Sequence, residues 1–559
     1  MSTKVSSSKG KYGKESGKKP YTKKKGNKPY SKEKDDKKES NIDSERTSSI
    51  GENDPKWYVT DEAVTDQATR ISFSNFVGVP IDFNPGGYIT GLNTNSFMPG
   101  SIMQVFLNPS PGYTTISKAK NAAINQQGFR TYARLSSANA KTTNYTPNDV
   151  TTMILAMGEL ISTISFAQRA YGLIWSYNVR NRTMPGDLLA SAGVEPNALR
   201  ADSAKFLTEL NTLIVEANKI PFPSNIDYFN KCAQIFSSVF ADSASSMSEL
   251  YVPIPFSTWD LDEAGSTQGT VLKTHTYWEG IGSEFEPMDP EDLLAIIRSK
   301  INTMLTSSTY NYIYSDILNL ATKDSNVKLL QFVPIDFGYS VAPVYDTEWI
   351  LMINNATIVG EPLLTANQYH GELHTNSNDV VPDVNKLSLL YAPQFESSHP
   401  IIAIPKILNF YNDAPSMDER IIATRYLVTS NVERFGPLKE KGEIPTAGPR
   451  NNYYYTDDDL SMGDHYVVGI NLLGADTSIG HTYSSGDEFS DPTFIPSVLT
   501  RFSNHPYIYE IDTSFWPDVN IIGLVGDIDY YTTIDATTLA RINKLLLFAL
   551  FDVKDIINK

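Results

Sequence analysis

Apolar residues recur at helical spacing through the middle of the chain. Ile154, Met157, Ile161, Ile164 and Ala167 fall on one helical face, and Asn148 is placed to cap that helix. The stretch "EPNALRADSAKFLTELNTLIVEANK" repeats the period through Phe206, Leu210, Leu213 and Ala217, and it stops before Pro221. In "NIDYFNKCAQIFSSVFA" the residues Ile226, Phe229, Cys232, Phe236 and Val239 share a face. "MDPEDLLAIIRSKINTML" carries Asp289 as N-cap, Pro290 at the first helical position and acids in the first turn, and "YNYIYSDILNLATK" supplies a further helix. Upstream, residues 60–112 are rich in Gly, Pro, Asn and Phe and read as loop with short strands, "IMQVFL" among them.

After about residue 325 the texture changes. Residues 326–530 hold many Pro, Asn, Asp and Tyr between short β-branched runs. "VKLLQFVPIDF", "WILMI", "HPIIAIPKIL" and "NIIGLV" read as strands, with one helix near "DERIIATRYLV". The final segment, "TTIDATTLARINKLLLFALFDVKDIINK", is again a strongly amphipathic helix. Residues 1–55 show no period at all: they are Lys, Ser, Gly, Glu and Asp with almost no aliphatic side chains, too little apolar surface to offset ordering entropy. The pattern predicts an α+β chain in four parts. They are a disordered lysine-rich arm over 1–55, a mainly helical domain over 56–325, a mixed β-rich insertion over 326–530, and a closing helix over 531–559 that returns to the helical domain.

Composition supports this division. A chain of 559 residues is long enough for two to four domains or two large ones, and 41% hydrophobic residues can bury a sizeable core. Charge is split between the ends. Residues 1–50 carry a net +8, whereas residues 51–559 carry a net −25. Such an asymmetry points to nucleic acid or an acidic surface as partner. The single cysteine, Cys232, permits no intrachain disulfide, which fits a reducing compartment or a virion assembled in one. Lys and Ser stand where a signal peptide needs an apolar stretch, so secretion is not expected. No run reaches the ~18 consecutive apolar residues of a membrane span, and "LLLFALF" at 545–551 reads as a helix core.

The search for catalytic chemistry is nearly empty. The chain has no phosphate-binding GxxxxGK[ST], no GxGxxG, no GxSxG and no CxxC. His370, Glu372 and His374 in "YHGELHTNSND" have a metal-like spacing, but the zinc-protease pattern is HExxH on a helix, and this setting reads as a projecting loop. Asp457, Asp458 and Asp459 read as a solvated acidic loop, and Cys232 as a buried, unreactive thiol. No catalytic residue, metal site or cofactor is expected, and an enzymatic reading would rest on the two histidines and their glutamate alone.

The arm makes the strongest functional claim. Residues 1–32 carry a net +10, with Lys9, Lys11, Lys14, Lys18, Lys19, Lys23, Lys24, Lys25, Lys28 and Lys32 as the candidate RNA-binding cations. Polycations bind nucleic acid chiefly by releasing condensed counterions, and lysine offers point charges without bidentate base readout. Tyr12, Tyr21 and Tyr30 are placed to stack on unpaired bases or to act as spacers. A coil of this length spans roughly 40 Å on average and about 165 Å at full stretch. A solubility tail, an import signal and a membrane-surface anchor are the competing readings.

One stretch carries a resemblance. In "YNVRNRTMPGDLLASAGVEPNAL", Tyr177, Asn181, Arg182, Pro185, Leu188, Leu189, Gly193 and Val194 are similar to a pattern in picobirnavirus capsid proteins, and "SFMPGSIMQVFLNPSPG" at 96–112 also looks like that family. Read from its residues, the stretch is a helix–turn–helix joint, with Asn at a helix end, Pro185 in the next first turn and Gly193 as terminator. The resemblance implies the coat protein of a small double-stranded RNA virus: a thin icosahedral shell of sixty dimers with a mainly α-helical shell domain, a β- and loop-rich protruding domain, and inward-facing N-terminal arms able to meet RNA. Some capsids of the family lose part of the N-terminus by processing. The implied partners are other copies of the chain, RNA through the arm and a host-cell surface through the protruding domain. The implied location is the virion, assembled in the host cytoplasm. The rival class is an RNA-coating nucleoprotein or other non-capsid RNA-binding protein, which would stay monomeric or oligomerise only on RNA.

Overall fold

The computed structural model describes residues 61–70, 80–81, 96–97, 101–110, 112, 123–140, 143–175, 184–224, 226–244, 248–262, 270–278, 285–325, 327–356, 373–374, 407–428, 432–435, 452–455, 463–474, 502–506, 508–512, 520–525 and 528–551. The chain divides into two units, residues 1–73 and 74–559. In the first, helix α1 (Glu62–Thr69) is capped by Asp61, whose carboxylate accepts from the Ala63 amide at 2.9 Å.

The second unit is built around one long helix. A first helix, α2 (Ala123–Asn139), leads to α3 (Pro147–Ile174), in which every residue but Gln168 is buried. Its start differs from the expectation. Thr146, not Asn148, is the cap: the Thr146 amide donates to Asp149 at 2.7 Å, and the Asp149 amide donates back to the Thr146 hydroxyl. Pro147 takes the first helical position because its missing N–H is no loss there, which puts the cap at Thr146, two residues upstream of Asn148. A helix apolar on all sides must be wrapped on all sides. Its coat is made of α4 (Met184–Ser191), α5 (Pro196–Ala201), α6 (Ser203–Ala217), α7 (Asp227–Ile235), α8 (Pro290–Thr306) and α9 (Ser308–Lys323), together with α2. By length and composition α3 would also cross a membrane, but every residue of its most apolar window is buried in protein.

These helices start and stop where side chains dictate. Asp289 accepts from the Glu291 amide at 2.8 Å with Pro290 at the first position of α8, as its spacing predicts. Phe206, Leu210, Leu213 and Ala217 line the buried side of α6, although the stretch before it breaks at Asp202 into two helices. α7 is shorter than its period suggests: Phe236 closes it, and Val239 is buried beyond it.

The helical block also contains strands, of which only "IMQVFL" within β1 is announced by the sequence. β1 (Ser101–Pro109), β2 (Phe240–Ala241) and β3 (Leu250–Pro255) belong to one sheet, and β4 (Ser257–Asp262) and β5 (Val271–Thr276) form an antiparallel hairpin beside it. β3 runs parallel to β1, a pairing hidden from sequence because its partners lie far apart in the chain and because Pro253 and Pro255 argue against a central strand. The prolines are accommodated because β2 reaches only Leu250 and Tyr251 on the other edge.

Several pieces of 326–530 join this same core. Helix α10 (Thr347–Asn354) replaces the strand expected at "WILMI": Asp346 accepts from the Glu348 and Trp349 amides at 2.9 and 3.2 Å. A five-residue apolar run buried all round has no period to tell helix from strand, so the cap decides. Of "VKLLQFVPIDF" only Leu329–Leu330 is strand, paired with Phe222–Pro223. β6 (Ile407–Phe410) and helix α11 (Met417–Ala423) follow, the latter opened by a capping box between Ser416 and Glu419. β7 (His465–Gly474) pairs antiparallel along the whole of β1 and completes the sheet in the order β7-β1-β3-β2. "NIIGLV" forms the strand Asn520–Val525, paired with Ile508–Asp512. β8 (Tyr530–Thr533) pairs with β6, and helix α12 (Ala536–Leu550) sends Leu547, Phe548 and Phe551 into the main core. There Phe551 meets Tyr228 of α7 with ring centroids 4.8 Å apart. Trp349, Tyr426, Val467 and Phe502 belong to that core too, whereas Leu408, Phe410, Ala423 and Leu539 form a small satellite.

Candidate functional site

The joint singled out in the sequence is partly within the described residues. Tyr177, Asn181 and Arg182 lie outside them. Pro185 stands in the first turn of α4, and Leu188 and Leu189 are fully buried. The helix ends at a glycine through a pair of backbone hydrogen bonds: the Gly193 amide donates to Ala190 at 2.9 Å, and the Val194 amide donates to Leu189 at 3.1 Å. Gly193 has φ +92, and a Cβ there would lie 2.4 Å from Cζ2 of Trp278. The chain then docks on the entrance to α8. The Glu195 amide donates to Met288 and the Met288 amide donates to Gly193, each at 2.9 Å, one residue before the Asp289 cap. Glu195 caps α5, with Pro196 at its first position. The joint therefore ties α3, α4, α5 and α8 into one scaffold.

Elsewhere in the core runs a buried polar line that sequence reasoning missed. Glu159, in the middle of α3, accepts from the Thr258 hydroxyl at 2.9 Å, and its second oxygen has no partner. Lys300 of α8 donates to the Thr258 hydroxyl at 3.0 Å, to the Trp259 carbonyl at 2.8 Å and to Asp260 at 2.6 Å. The other Asp260 oxygen pairs with the His275 ring at 2.8 Å near the surface. Burial pushes Asp260 up, but Lys300 and His275 outweigh it and hold the carboxyl below the usual range. Burial raises Glu159. On its other side stands His465 of β7, which burial lowers to about 4, and whose neighbour Asp464 is paired with the buried Arg425. Near the far end of α3 the fully buried Arg169 donates to the Pro253 and Ser238 carbonyls at 2.7 and 3.2 Å, and desolvation brings it down to about 9. Charged residues inside an otherwise apolar helix were the available signal, since such groups stay buried only when paired.

The remaining sequence candidates divide as follows. Lys9, Lys11, Lys14, Lys18, Lys19, Lys23, Lys24, Lys25, Lys28 and Lys32, along with His370, Glu372 and Asp457 to Asp459, lie outside the described residues. His374 belongs to a two-residue strand with Leu373 that pairs with Leu272 and Val271. Cys232 is buried, and burial raises its thiol well above the usual value, so it is held as the unreactive neutral form. Among the described residues no group of three or more His, Cys, Asp or Glu side chains is arranged to hold a metal ion.

A sequence profile of the picobirnavirus capsid protein family matches residues 57–437, about two thirds of the chain. The chain belongs to that family. A capsid protein precursor of Human picobirnavirus is 22% identical over 536 residues, covering 90% of this chain and 91% of that protein. A crystal structure of the picobirnavirus capsid has the same fold, with a TM-score of 0.66 at 18% identity, covering 90% of this chain and 99% of the other. The protein is thus a viral structural protein of the mixed α+β capsid fold.

Proposed function

We propose that copies of this capsid protein assemble as dimers into an icosahedral shell around a double-stranded RNA genome, and that the lysine-rich arm holds the RNA without reading its sequence. The observation that carries this reading is the division of charge. Residues 1–32 carry a net +10, residues 51–559 a net −25, and the family match begins only at residue 57. An acidic wall repels phosphate, so attraction has to come from the tethered polycation. In this reading residues 56–325 with the closing helix 531–559 form the shell, residues 326–530 supply the outward part that meets the host-cell surface, and α10 and β7 anchor that part in the shell core. Assembly takes place in the host cytoplasm and the mature protein resides in the virion. Its role is structural, without catalysis.

Deletion of residues 1–50 tests the arm. Particles still form and are seen by electron microscopy, but their ultraviolet absorbance ratio and extracted nucleic acid show them empty. Truncated particles filled with RNA to the level of the full-length ones overturn the role of the arm. A full-length chain that elutes as a monomer after ribonuclease treatment favours the RNA-coating alternative instead.

A further inference from the structure

The ribbon between the strand Leu329–Leu330 and α10 has no regular hydrogen-bonding partner strand, yet its backbone is pinned along its length. Asn211 of α6 and Asn218, which caps the C-terminus of α6, are seven residues apart and so on one side of the helix, and each grips the ribbon with both amide atoms. Asn218 accepts from the Phe332 amide at 2.7 Å and donates to the Phe332 carbonyl at 2.9 Å. Asn211 accepts from the Ile335 amide at 3.0 Å and donates to the Ile335 carbonyl at 2.9 Å. Further on, the Tyr171 hydroxyl donates to the Phe337 carbonyl at 3.2 Å, and the Val341 amide donates to the Gly172 carbonyl at 3.0 Å. Gly172 permits that approach, because a Cβ there would lie 2.5 Å from Cγ2 of Val341. The ribbon ends where the Val344 amide donates to Val239 and the Ala241 amide donates to Val344, both at 2.9 Å.

A backbone held this way decides which side chains face out. Val341 is buried, and Phe332 and Ile335 pack partly against the core. Val333 is 76% exposed, Phe337 62%, Val344 48% and Tyr345 47%, and Val215, between the two gripping asparagines on α6, is 56% exposed. These five are large apolar side chains that the ribbon and the adjoining part of α6 leave exposed, the composition expected of an interaction surface on a folded protein. Residues 329–345 carry a single charged side chain, Asp336, on a body whose net charge is −25.

We propose that this ribbon, with Val215, is a contact face for a second copy of the same chain. Two like bodies of large negative charge repel, so copies meet most favourably where charge is lowest and apolar area highest. A standard interface buries about 800 Å² per partner, and this face supplies the apolar centre of one. Its backbone is already ordered by the asparagine grips and the carbonyl bonds, so little conformational freedom is lost on contact. The inference rests on the self-assembly proposed above and adds the surface through which it proceeds.

The test uses the full-length chain. Val215→Glu with Val333→Glu places two carboxylates on the face without touching the core, and particle yield by sedimentation drops about ten-fold or more, as one lost 1.4 kcal/mol contact per interface already requires. The unassembled variant keeps the wild-type thermal unfolding midpoint. Independently of folding, hydroxyl-radical footprinting of the wild type shows Phe337 and Tyr345 protected in particles and oxidised in free subunits. Normal particle yield from the folded variant, or equal oxidation of Phe337 and Tyr345 in both states, overturns the proposed face. A wild-type chain that forms no particles under any salt condition overturns self-assembly itself.

Discussion

At Gly193 two requirements meet: the backbone turns at φ +92, and the Trp278 ring occupies the space a side chain would need. Alanine there faces the left-handed penalty and a contact 2.4 Å long, together about 2–4 kcal/mol of destabilisation. Gly193→Ala therefore lowers the urea midpoint of the unassembled subunit, and an unchanged midpoint would show that Trp278 moves aside at no cost. The role of Gly193 as a helix terminator is legible in "LLASAG", because only the local chain is involved. The contact with Trp278 is not, because 84 intervening residues separate the two in sequence.

Among the elements, α3 shows how far periodicity carries. Its apolar face is evident in the sequence, but its complete burial follows from the seven helices and the β4–β5 hairpin that pack around it. That burial turns Glu159 from an ordinary helix residue into one end of the line through Thr258 and Lys300 to Asp260. Lys300→Met keeps the stem volume but leaves Asp260 without its closest cation and removes one donor from the Trp259 carbonyl. Breaking one partner of a buried ion pair costs about 3–5 kcal/mol, reduced here because Asp260 is one-third exposed and keeps His275. The expected outcome is a loss near the lower end of that range in urea unfolding; an increase in stability would mean that the line is dispensable packing. α10 teaches the converse lesson: "WILMI" alone favours a strand, and the two amides held by Asp346 make it a helix.

For the molecule as a whole, the buried histidine of β7 sets an acid response. A histidine in the unfolded chain takes its proton near 6.5, whereas His465 in the fold does so at about 4. Between those values the unfolded chain binds more protons, so stability falls as pH drops through that window, by on the order of 3 kcal/mol. Asp260, held below the usual carboxylate range, extends the loss to lower pH. Glu159 acts oppositely: burial raises its carboxyl, so its protonation favours the fold and offsets part of the decline. His465→Gln flattens the dependence of the unfolding midpoint between pH 6.5 and 4 and leaves the steeper fall below it. Parallel curves for variant and wild type would place the acid response elsewhere.

What can be read from the chain alone is whatever depends on neighbours in sequence: helix periods, the Asp289 cap, the glycine joint, the single inert cysteine, and the separation of a +8 N-terminal stretch (1–50) from a −25 body. Charge and local propensity are sums over nearby residues and need no fold. The tertiary structure decides the rest, because it depends on residues far apart. The sheet joins β1 to β7 across more than 350 positions, the ribbon 331–345 is pinned by α3 and α6, and α12 closes on α7. Which polar groups lose water, and which apolar ones keep it, follows from those long-range contacts and sets both the acid response and the proposed contact face.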